Sequence, residues 1–63
     1  MIVANIKALC KAKRVSLSEV ERATGLGNGV IRRWDEVSPR VESVKRVADY
    51  FGVTVDDLLR KEE

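Results

Sequence analysis

The sequence has no histidine, one cysteine, one proline and only three aromatic side chains, a single Trp, Tyr and Phe. Each scarcity excludes something. Without histidine, the commonest general base and the commonest metal-binding nitrogen are both missing. The lone thiol, Cys10, can neither close an intramolecular disulfide nor assemble a thiolate metal cluster. No apolar run approaches the roughly 20 residues that a membrane-spanning helix requires, and Met1-Ile2-Val3-Ala4 does not have the layout of a secretory signal. The chain is therefore expected to be cytoplasmic. Asp56 and Asp57 imitate a catalytic carboxylate pair only on paper. Adjacent residues on a helix diverge by about 100°, and two acids at a helix start instead complement its positive end. No arrangement of side chains reads as nucleophilic, metal-assisted or acid–base machinery, so neither an enzyme nor a cofactor is expected.

What is present is a 63-residue chain with 44% hydrophobic and 35% charged residues. That leaves room for one domain, residues 1–63. At this size only roughly 60% of the unfolded surface is buried, so good packing or a partner subunit is needed. Charge is uneven along the chain. Through Arg46 there are ten Lys/Arg against Glu19, Glu21, Asp35, Glu36 and Glu42; after it, Arg60 and Lys61 face Asp49, Asp56, Asp57, Glu62 and Glu63. A basic first part and an acidic tail suit a protein with one side turned toward a polyanion.

Hydrophobic spacing predicts helices throughout and no strand. Ile2, Ile6, Leu9 and Cys10 form a helical stripe over about residues 2–13. Ser16-x-x-Glu19 is a capping-box signature opening a second helix, about 16–24, which carries Val20 and Ala23 and leaves through Gly25. A third helix, about 28–35, fastens Ile31 and Trp34 inward with Val30 beside them. After Ser38-Pro39, Val44, Val47, Ala48 and Phe51 share one face of a fourth helix, about 41–51. Thr54-x-x-Asp57 then starts a fifth, about 55–61, with Val55, Leu58 and Leu59. Trp34, three residues from Ile31, is expected in the core, as is Cys10.

The informative stretch runs from Leu17 to Trp34. Two short helices joined by a tight turn can cross steeply enough for the second to project from the surface. Gly25 provides the turn, Leu26 fills the space beneath it, and Ile31 with Trp34 anchors the inner face. The outer face is left with Asn28, Gly29, Arg32 and Arg33.

With these features in place, residues 16–59, SLSEVERATGLGNGVIRRWDEVSPRVESVKRVADYFGVTVDDLL, resemble the Cro/repressor-type (xenobiotic-response-element-like) helix-turn-helix family. The likeness is nearest to short phage and Firmicutes transcriptional regulators. It rests on Gly25-Leu26-Gly27-Asn28-Gly29, Ile31, Trp34, Ser38-Pro39, Val47-Ala48-Asp49-Tyr50-Phe51, Val55-Asp56 and Leu58, and with the first helix it covers essentially the whole chain. The resemblance implies an all-α, compact bundle of five short helices, a lambda-repressor-like DNA-binding domain. It implies a regulator bound to a double-stranded DNA operator, with helix 28–35 in the major groove. Carried over by position, base readout falls to Asn28, Gly29, Arg32 and Arg33. Asn28 can read adenine and Arg33 guanine, Arg32 lies on the flank, and Gly29 lets the backbone come close. Phosphate contacts fall to Ser16, Leu17, Ser38 and Arg40 and to the first amides of the second helix. A homodimer through about Val53–Arg60 would let two copies read two half-sites one helical turn apart. No small-molecule ligand, metal or membrane partner is implied.

The chain departs from the family pattern at four places. Leu17 stands where many members have a glutamine that bonds a phosphate. Glu21 replaces a small alanine at the crossing of the two helices, and is expected to point outward or to pair with an arginine such as Arg33. Cys10 stands where some members have an arginine paired with the acid at position 35, leaving Asp35 in need of another partner. Arg40 replaces a helix-capping serine, so the fourth helix is expected to start less firmly. An apolar Leu17 and an acidic Glu21 near the DNA side leave a second reading open: a protein-interaction module of antitoxin or anti-repressor type on the same fold, without DNA binding.

Overall fold

Ile6, Val20, Ile31, Val47 and Leu58 are wholly shielded from solvent, and each comes from a different helix. The computed structural model describes residues 2–60. Its helices are α1 (Ile2–Lys13), α2 (Leu17–Thr24), α3 (Val30–Arg33), α4 (Val41–Phe51) and α5 (Val55–Leu59). None exceeds 12 residues, so none is stable alone in water. The helices persist because each surrenders an apolar face to a common core, and each fully buried aliphatic side chain contributes roughly 1.5–3 kcal/mol. Val3, Cys10, Trp34, Val44, Ala48 and Phe51 complete that core. The fold is all-α, with no strand among the described residues. Among those residues no helix is long and apolar enough to cross a membrane.

Helix α4 packs against α2 on one side and α5 on the other, and α5 also packs against α1. The buried stripe of α1 is Val3, Ile6 and Cys10, with Ile2 and Leu9 as its half-buried margins. The Ile2-Ile6-Leu9-Cys10 reading therefore sat slightly to one side of the true stripe. Burial pushes the Cys10 thiol above its ordinary range, with the charge of Glu19 adding to the effect, so the thiol stays protonated and inert.

Local sequence closes most helix ends. Ser16 lies just outside α2 as its cap: its hydroxyl accepts from the Glu19 amide at 3.1 Å, and the Glu19 carboxylate accepts from the Ser16 amide at 3.0 Å. Thr54 and Asp57 repeat the device on α5, at 3.1 Å each way. At the far end of α2, Gly25 is left-handed with φ 77°, and the Leu26 amide reaches back to the Glu21 carbonyl at 2.8 Å. This satisfies a carbonyl the helix would otherwise leave open. The next side chain, Leu26, packs on the core. Arg46 of α4 crosses this exit, with Nη1 3.8 Å from where a Gly25 side chain would begin, a favourable place for a cation. Arg40 starts α4 without a side-chain cap, as the loss of a serine there led one to expect.

Two expected boundaries are corrected. Helix α3 spans Val30–Arg33 and not 28–35. Gly29 has φ 82°, outside any right-handed helix. Beyond Arg33 the chain tightens into turns in which the amides of Trp34, Asp35 and Glu36 bond three residues back, to Ile31, Arg32 and Arg33. Helix α5 stops at Leu59, because Arg60 is extended (φ −66°, ψ 137°). The Asn5 side-chain amide donates to the carbonyls of Leu58 and Arg60 at 2.6 Å each, tying this end to α1. The expected last residue of that helix, Lys61, lies outside the described residues.

Candidate nucleic-acid interface

The region that could meet a polyanion is built on α2 and α3. Ile31 and Trp34 are buried and hold α3 down, leaving Asn28, Arg32 and Arg33 exposed and Gly29 half-buried. Gly29 is required by its left-handed backbone and not by crowding, since nothing lies within 4 Å of the side chain it lacks. The backbone there is open to approach.

Glu21 sits beneath this surface. It is only 4% exposed, the one charged residue in the core among the described residues. Its carboxylate accepts from the Gly29 amide at 3.0 Å through Oε1 and from the Ile31 amide at 3.1 Å through Oε2. The expectation that it would point outward or pair with Arg33 is overturned. The only ion pair among the described residues joins Arg60 to Asp57. The physical reason is the cap position of α3: Gly29 has no side chain to cap with, and orphan amides at a helix start need an acceptor. Glu21 supplies it. Asp35 is exposed and, among the described residues, has no ionic partner.

The sequence-predicted residues fall on two sides of α3. On one side, Leu17 and Ser18 of α2 face Asn28, Gly29 and Arg32 across a cleft of about 300 Å³ with Glu21 at its floor. Ser18, Arg22 and Asn28 border an adjoining hollow of about 360 Å³. On the other side, Arg33 lies with Ser38 and Arg40 around an open hollow of about 560 Å³. Thus Arg32, and not Arg33, shares a cleft with Asn28. Ser16 borders none of these hollows; its amide is committed to the α2 cap, while its hydroxyl accepts from Glu19 and keeps its own proton to donate. The first-turn amides of Leu17 and Ser18 have no intrahelical acceptor, so Leu17 can serve an anion through its backbone even though its side chain cannot.

Ser18 and Arg22 were missed from sequence. Both are exposed on α2, and their i, i+4 spacing beside the turn was the available signal. Arg22, Arg32, Arg33 and Arg40 form no ion pair within the described residues. Four guanidinium groups around one short projecting helix, with no internal acid holding them, are suited to phosphate and base edges.

A family model for the Cro/C1-type HTH DNA-binding domain matches residues 5–62 of the chain. Neither a curated protein nor a solved structure gives a match.

Proposed function

Because the chain belongs to the Cro/C1-type helix-turn-helix DNA-binding family, we propose that it is a transcriptional regulator of the repressor/Cro type, acting in the cytoplasm of a bacterium, on host or prophage DNA, by occupying an operator. In this reading α3 enters the major groove. Asn28 and Arg32 approach base edges together, Gly29 allows the backbone close, and Arg33 reaches bases from the opposite flank. The Leu17 and Ser18 amides, the Ser16 hydroxyl, Arg22, Ser38 and Arg40 hold phosphates on either side. The observation that carries the reading is the exposed Asn28–Arg32 edge facing the first turn of α2 across one cleft.

The rival reading, an interaction module without DNA binding, drew on Leu17 and Glu21. Glu21 is only 4% exposed and has both carboxylate oxygens engaged by backbone amides, which leaves the rival with Leu17 alone.

A second copy belongs to the proposal, since one such domain reads too few base pairs for useful discrimination. The expected contact at Val53–Arg60 has Leu59 to offer, which is 53% exposed. Val37 and Val41, 57% and 77% exposed, present a further apolar patch just past α3.

One experiment tests all of this: selection of bound duplexes from a randomised library, followed by titration at several salt concentrations. The expected result is a defined sequence bound with a steep salt dependence, arranged as an inverted repeat with half-sites about one helical turn apart. A single unrepeated site would remove the dimer. No enrichment together with salt-insensitive binding would remove DNA recognition and favour the rival.

A further inference from the structure

The cap on α3 comes from the wrong place for an ordinary cap. A helix start is normally served by the cap residue itself, whose side chain accepts from an amide two or three residues on. Here that residue is Gly29 and no local side chain takes part. The acceptor on Ile31, the second residue of α3, is Glu21, ten residues earlier and on the neighbouring helix. A local cap would fix only where α3 begins. A cap from α2 fixes where α3 begins relative to α2.

The two bonds also fall between the residues at the groove edge, Asn28 and Arg32. The Gly29 N–H belongs to the peptide plane shared with Asn28, so the 3.0 Å bond from it to Glu21 sets the plane from which Asn28 projects. The Ile31 N–H belongs to the plane between Val30 and Ile31, one residue before the plane that leads into Arg32, and is held at 3.1 Å. Helix α3 is only four residues long, too short to hold its own geometry. Because both carboxylate oxygens are engaged and no cation among the described residues competes for them, the carboxylate has one task.

We infer that Glu21 is a positioning residue for sequence discrimination: it locks the Asn28–Arg32 edge of α3 to the phosphate-facing first turn of α2, so that backbone register on DNA fixes base readout. This rests on the DNA-reading role proposed above. Glu21 itself touches no DNA. Its loss acts on discrimination between sequences and spares the sequence-independent attraction to phosphate.

The test compares Glu21→Gln with the wild type and with Asn5→Ala. Gln keeps the size but replaces one acceptor oxygen by an amino group that cannot accept. Asn5→Ala weakens the fold at the α1–α5 end and serves as a destabilised control. The readouts are the ratio of affinities for the duplex selected by the wild type and for a scrambled duplex, and the NMR resonances of the Gly29 and Ile31 amides, at a temperature where all three proteins are folded. For Glu21→Gln the ratio is expected to fall roughly tenfold or more, about the worth of one good base contact, with scrambled-duplex binding held or slightly raised and both amide resonances moved. Asn5→Ala keeps the wild-type ratio. Glu21→Asp, which keeps the carboxylate but shortens its reach, falls between and replaces Glu21→Gln if that variant does not fold.

An unchanged ratio in Glu21→Gln with displaced amide resonances would overturn the inference while leaving DNA recognition intact. An equal loss in Asn5→Ala would reduce Glu21 to a stability role and overturn it as well. A wild type that selects no sequence overturns the DNA-reading proposal and this inference with it.

Discussion

Helices α3 and α5 are the two shortest in the molecule, four and five residues, and each anchors itself through one wholly buried aliphatic side chain, Ile31 and Leu58. They differ in how their first amides are satisfied. Helix α5 carries its own cap, with Thr54 and Asp57 bonding each other's backbone three residues apart. Helix α3 has glycine at the cap and depends on Glu21 of another helix. A self-capped helix has its start fixed by its own sequence, whatever it packs against. A helix capped by its neighbour acquires its start and its orientation in the same step, which suits the element whose angle decides what is read.

The largest expected effect follows from that difference. Glu21→Ala removes both acceptors and leaves the buried Ile31 amide and the part-buried Gly29 amide unpaired, a loss of about 2–3 kcal/mol, because bonds to a charged acceptor are strong and an orphaned buried donor is costly. Thr54→Ala removes an exposed local cap and should cost about 1 kcal/mol. Urea unfolding monitored by Trp34 fluorescence and by circular dichroism gives both values. Equal losses would mean that the long-range cap is no more integral to the fold than the local one, and the contrast between the helices would collapse.

The same contrast explains what the sequence disclosed and what it withheld. Ser16-x-x-Glu19 and Thr54-x-x-Asp57 are legible because both partners lie within one turn of each other. Ile31 and Trp34 are legible as core because their spacing has a period. Glu21 carries no such mark: its partners are backbone amides at 29 and 31, which every sequence has, and an acid on a short helix is ordinarily solvated. Two weak signals were nevertheless present. Glycine stands where α3 needs a cap, and Glu21 occupies an inward position, next to Val20, where a small residue was expected. The extent of α3 was overread for a related reason, since residue spacing cannot register the left-handed backbone at Gly29. Once α3 shrinks to a single turn, Arg32 and Arg33 separate to opposite sides of it, a division that the bare pair of arginines could not announce. The family and the class of fold were legible because they rest on spacing repeated over most of the chain, as the match over residues 5–62 bears out.

Helix α5 is not wholly self-sufficient, and a smaller effect sharpens the comparison there. Asn5 holds its far end through the carbonyls of Leu58 and Arg60. Asn5→Ala should cost about 1 kcal/mol, the typical net worth of such bonds. Its signature is regional: amide hydrogen exchange should rise in α5 and stay unchanged in α3, because openings of this kind are local. Faster exchange in both would mean that the two short helices open as one unit, and their different caps would then be incidental to their dynamics.

The smallest effect concerns the exposed acid of the α5 cap. The Asp57 carboxyl is held below its usual range, first by the bond from the Thr54 backbone amide and next by the Thr54 hydroxyl; desolvation opposes these, and Arg60 adds a smaller lowering. Between the depressed folded value and the ordinary unfolded one, the folded chain binds fewer protons than the unfolded chain, so this contribution to stability rises with pH. It is complete above the ordinary aspartate range and disappears as pH falls through the folded value. Asp57→Asn should therefore be slightly less stable than the wild type at neutral pH and should converge with it in acid, in urea midpoints measured from pH 7 down to about pH 2. A gap that stayed constant over that interval would show that the carboxylate charge contributes nothing to the local cap. The start of α5 would then not depend on the Asp57 charge, whereas the start of α3 rests on a carboxylate from a neighbouring helix.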